Sequence, residues 1–69
     1  MSWAWATAAK ATLDASRANA VAMVAILYHA IGELPEGDPE RVAGENHRAW
    51  LILKIAMIDA ELLIVTPFA

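Results

Sequence analysis

The side chains with the most chemical reach in this chain are two histidines and the carboxylates around its middle. His29 and Glu33 lie four apart, and Glu45 and His47 follow beyond a stretch punctuated by Pro35, Gly37 and Pro39. Imidazole and carboxylate together bind divalent metal ions. His29, Glu33, Glu45 and His47 are therefore the candidate metal ligands, provided that a turn brings the two pairs to one end of the molecule. The pattern is unspecific. The Glu-x-x-His spacing that di-metal bundles place on facing helices is missing, and polar residues beside a solvated turn need no ion to explain them. Neither metal nor cofactor is expected.

Other catalytic constellations are lacking. Asp59 and Glu61 are two apart, which on a helix points them to different faces. No Ser/His/Asp or Cys/His arrangement, phosphate-cradling glycine loop or nucleotide motif is present. The chain has no cysteine, so disulfides and thiolate zinc sites are excluded. No enzyme is expected.

Charge narrows the partners. The net charge of −3 gathers in the middle, where Glu33, Glu36, Asp38, Glu40 and Glu45 outnumber Arg41 and Arg48. Five basic residues scattered along the chain form no stripe, so nucleic acid is not an expected partner, and no basic face draws the chain to anionic lipid.

These residues must be positioned by helices. An alanine-rich run without proline or glycine predicts a first helix over about 3–33, with Ser2 as its N-cap and Gly32 as its stop. Leu13, Ala20, Val24, Leu27, Ile31 and Leu34 form its apolar stripe, and Lys10, Asp14 and Arg17 its polar one. Asp38-Pro39-Glu40 combines an N-cap acid, proline at the first helical position and a carboxylate at the positive end of the helix dipole. A second helix is therefore expected over about 39–65, ended by Thr66 and Pro67, with Gly44 the place where it would kink or break. The short connection makes the helices antiparallel neighbours. The expected architecture is all-α: a single helical-hairpin domain over residues 1–69.

The second helix carries two apolar seams. Trp50, Leu53, Met57, Ala60 and Ile64 recur at steps of three and four, and so do Leu51, Ile55, Ile58, Leu62 and Val65 on another face. One neighbouring helix covers only one seam. The other is expected to meet a second copy, so that two hairpins form a four-helix-bundle dimer or a higher oligomer. Leu51, Ile55, Ile58, Leu62 and Val65 are taken as that interface. Facing residues whose numbers sum to about seventy would pair Lys10 with Glu61 and Asp14 with Lys54, while Arg17 has Asp59 as an alternative partner. Met23 and Met57 read as core filler, and Trp3 and Trp5 as packing against the Pro67-Phe68-Ala69 tail or as an anchor for a partner.

Lipid is the competing cover for the second helix, and it loses on energy. Lys54, Asp59 and Glu61 would cost about 9 kcal/mol near a bilayer centre, against roughly 5 kcal/mol returned by about ten large apolar side chains. The apolar run Ala18–Ile31 is shorter than the ~20 residues a span needs. No positive charge precedes Trp3–Ala9 and Lys10 interrupts it, unlike a secretory leader. A cytoplasmic location is expected, with membrane association the alternative. Two short likenesses go no further. Ala25 and His29 share the spacing of bacteriochlorophyll-binding antenna polypeptides, and the polar turn is similar to that of a proton-translocating ring subunit, but no pigment-length span and no glycine-rich first helix accompany them.

The function these features point to is that of a small non-catalytic helical interaction protein, of the accessory kind found in bacteria or phages. It would act by self-association and by docking to a larger protein partner. The alternative is a membrane-associated hairpin, a small subunit of a membrane complex.

Overall fold

The computed structural model describes residues 2–69 and consists of two long antiparallel helices, α1 (Ala4–Gly32) and α2 (Pro39–Val65), followed by a 3₁₀ turn at Thr66–Phe68. At 1.5 Å per residue such helices are each about 40 Å long, and the molecule measures 54 × 15 × 11 Å. Its radius of gyration of 15.7 Å exceeds the roughly 11 Å of a globular chain this long. The hairpin is a rod two helices wide.

The start of α2 follows from its sequence. Asp38 caps the helix by accepting a hydrogen bond from the Glu40 N–H at 2.8 Å, with Pro39 in the first turn. The turn before it depends on Gly37, whose φ of 80° is a left-handed conformation that glycine adopts without a Cβ penalty. Gly32 does not stop α1 in that way: the helix ends in tight bonds from the Glu33 and Leu34 N–H groups to Ala30 and Ile31. Ser2 is not the N-cap either. Trp3 occupies that position without a side-chain bond, and Ser2 Oγ donates to the Ala69 carbonyl at 3.0 Å, while the Trp3 N–H donates to Phe68 at 2.8 Å. These bonds tie the two ends of the chain together.

The core is a single seam between the helices. Ala6, Ala20 and Ile31 of α1 and Leu51 and Ile58 of α2 are its buried members, spread along the length of the rod. Apart from Asp59, the less exposed positions of α2 run Arg41, Gly44, Arg48, Leu51, Ile55, Ile58, Leu62, Val65, alternating steps of three and four without a break. That is heptad spacing, which keeps one stripe on a neighbour along the whole rod. Gly44 does not break α2. A Cβ there would lie 2.8 Å from Ile31 Cγ1 and 3.1 Å from its Cδ1, so the glycine is a notch into which Ile31 packs.

This seam corrects one expectation. Leu51, Ile55, Ile58, Leu62 and Val65, assigned from the sequence to a neighbouring copy, face α1 instead. The series that stays outside is the other one. Met23 and Met57, read as core filler, are 43% and 58% exposed.

Candidate functional site

The hairpin has two flat sides and two outer edges, and they differ in chemistry. One flat side holds the long-range ion pair. Arg17 Nε donates to Asp59 Oδ1 at 2.6 Å, and Nη2 reaches Oδ2 at 3.4 Å. Near the turn on this side Arg41 bonds Glu45 Oε1 at 3.0 Å and the Leu34 carbonyl at 2.7 Å, and Arg48 lies 5.6 Å from the Tyr28 ring centre. The bond to Asp59 and its Coulombic attraction, with a smaller contribution from Asp14, hold the Arg17 guanidinium above its ordinary pKa. A raised cationic pKa contributes stability that is present below the unfolded value and lost only above the folded one, beyond any ordinary working pH.

The expected pairings of Lys10 with Glu61 and Asp14 with Lys54 do not form. Lys10 bonds Asp14 on its own helix at 2.7 Å. The reason is register. Ile31 faces Gly44 and Arg17 faces Asp59, number pairs that sum to 75 and 76 rather than seventy. The connection folds back beside the first turns of α2, as the Arg41 bond to the Leu34 carbonyl shows, and the offset moves every partner on α2 by about one and a half helical turns. Lys54 and Glu61 are left without an ion-pair partner among the described residues.

The four candidate metal ligands do not share one place: Glu33 is the exposed C-cap of α1, and the other three are divided between the flat sides. His29 and Glu45 line a cleft with Arg41 and Arg48, a cationic setting that opposes a metal ion. His47 borders the opposite cleft with Met23, Leu51 and Lys54, and its ring stacks on Trp50 at 6.0 Å between centroids. No three His, Asp or Glu residues come together in a metal-binding group among the described residues. Asp59 and Glu61 diverge as their spacing requires, one to Arg17 and one to the opposite edge.

The outer edge of α2 is the chemically distinctive surface. Trp50, Leu53, Met57 and Ile64 are 55%, 58%, 58% and 67% exposed, and together with Ala60 they form one row about 21 Å long. Ile52 and Leu63 widen it, at 52% and 79% exposed. Lys54 and Glu61, one heptad apart, flank the row along a single edge, with the Lys54 ammonium 5.3 Å from the Trp50 ring centre. The row itself was visible in the sequence. Its exposure and the widening residues were not, because three-and-four spacing is shared by the seam that faces inward.

Trp5 packs on the tail, its ring 5.9 Å from that of Phe68, yet both tryptophans near the start stay more than half exposed. No helix of the described residues is long and apolar enough to cross a membrane. Comparison with family models, with curated proteins and with solved structures finds no match to this chain.

Proposed function

We propose that this chain is a non-catalytic helical assembly protein that works by self-association and by docking to a larger protein partner. The observation that carries the reading is the row Trp50, Leu53, Met57, Ile64, fully formed on a rigid helix and turned to solvent. Covering what remains exposed of these four side chains is worth roughly 4–7 kcal/mol as an upper bound. Domains of this size are marginal alone and usually need a staple. Disulfides are excluded by composition, which leaves a partner chain to supply the missing stability. The polar residues support binding rather than chemistry, since Asp14, Asp59 and Glu45 pair with cations, the histidines lie against aromatic rings, and among the described residues no three of these groups converge.

The direct test is the molar mass of the purified chain by light scattering, without detergent, across a concentration series. A mass that rises toward a multiple of 7.4 kDa supports self-association. A constant 7.4 kDa up to high micromolar concentration removes it. Sedimentation with membranes and release only by detergent would favour the membrane-associated alternative.

A further inference from the structure

We infer that the outer row of α2 is covered by a second copy of this chain, lying antiparallel across a two-fold axis near Met57, with Lys54 of each copy beside Glu61 of the other. The inference rests on the proposed self-association and adds the identity, direction and register of the cover.

Surface area argues that the cover is of protein-interface size. The chain exposes 4989 Å², whereas a folded monomer of 7.4 kDa exposes about 4,200 Å². The difference, about 800 Å², is what each partner loses in a standard stable interface. A rod two helices wide has that surplus because its outer faces are bare, and the row on α2 is the bare face built of large side chains.

Symmetry of the row gives direction and register. Trp50 and Ile64 are equidistant from Met57, and Lys54 and Glu61 straddle it at three and four residues. In an antiparallel pair centred there, Trp50 meets Ile64 of the other copy and Leu53 meets Ala60, a large residue against a small one. Residues on one edge of a helix then face the same edge of its antiparallel mate. Lys54 and Glu61, without an ion-pair partner among the described residues, therefore meet their opposites, twice per dimer. A parallel pair in register would set this edge against the opposite edge of its mate, where Ala49, Ala56 and Leu63 stand, so Lys54 and Glu61 would gain no partner. It would also bring together the two acidic turns, each with Glu33, Glu36, Asp38 and Glu40, whereas the antiparallel pair sends them to opposite ends. Like charges held across an interface oppose it. Met23, exposed and lining the same cleft as Lys54, lies where it would extend the contact beyond α2.

Cysteine cross-linking tests this cleanly because the chain has none of its own. Met57→Cys sits beside the axis and should give a covalent dimer under mild oxidation, within the Cα separation a disulfide spans. Trp50→Cys and Ile64→Cys should each remain uncoupled alone and couple to one another when mixed. Coupling of Trp50→Cys or Ile64→Cys with itself would overturn the antiparallel direction while leaving self-association standing. A dimeric mass with no coupling at any of these sites would overturn this interface and place association on another face. A monomeric mass would remove self-association itself. Lys54→Glu, placing two acids on each edge contact, should weaken the dimer roughly tenfold, and Lys54→Glu with Glu61→Lys should restore it to within about threefold. No recovery in the double variant would overturn the register.

Discussion

The two outer edges of the hairpin share a spacing and differ in size. On α1 the outward series is Ala4, Ala8, Ala11, Ala15, Ala18, Ala22 and Ala25, with steps of four and three, every member exposed. On α2 the outward series has the same steps but carries Trp50, Leu53, Met57 and Ile64. Alanine is the strongest helix former and offers little apolar area, so α1 keeps its edge in water at small cost and gains helix stability from it. The α2 edge gains less from propensity and leaves large side chains hydrated. Periodicity thus tells which residues share a face, while side-chain volume tells whether that face needs a cover. The chain is asymmetric in that second respect, and the asymmetry is why the proposed association is placed on α2.

That contrast can be broken in three places, beginning with the inner seam. Leu51→Ala removes a buried side chain between the helices and should lower stability by about 2–4 kcal/mol, read from urea unfolding at fixed protein concentration. A loss under about 0.5 kcal/mol, the size of an ordinary surface change, would mean that this seam is not the one holding the hairpin. A smaller effect is expected at Gly44. Alanine there gains about 1 kcal/mol of helix propensity, but its Cβ meets Ile31, which is 5% exposed and hemmed in. Overpacking of this kind costs about 1–3 kcal/mol, so Gly44→Ala should be destabilising by about 1 kcal/mol in the same assay. A gain in stability would show that Ile31 moves aside freely. The smallest effect belongs to the α1 edge. Ala15→Glu should change neither stability, by more than about 0.5 kcal/mol, nor the association constant measured by sedimentation. A lost dimer would move the interface to the alanine edge.

Much of the fold was legible in the residues. Asp38-Pro39-Glu40 marks the start of α2, and the stripe from Leu13 to Leu34 marks the inner face of α1, because capping and periodicity are local signals. The choice between the seams of α2 was not legible, since both satisfy the same template. One signal bore on it: the Leu51 series continues backward through Arg48, Gly44 and Arg41 in unbroken heptad steps, and its only small member lies opposite the bulky Ile31. Of the ion pairs, Arg17–Asp59 forms as the alternative pairing expected, and the other two failed for a different reason. Charge pairing across a hairpin depends on turn geometry, and a five-residue error in register is enough to replace Lys10–Glu61 and Asp14–Lys54 by Lys10–Asp14. The metal quartet fails for a reason that was legible: Glu45 and His47 are two apart on one helix, so they emerge on opposite flat sides, Glu45 with His29 on one and His47 on the other.

The central claim is that the large residues on the outer edge of α2 hold copies of the chain together. Its most direct test is the molar mass, at matched concentration, of the unaltered chain beside a Leu53→Glu, Met57→Glu variant. Four carboxylates in a dimer interface should abolish association, giving about twice 7.4 kDa for the first and 7.4 kDa for the second. Equal masses for the two, whether monomeric or dimeric, would contradict the account.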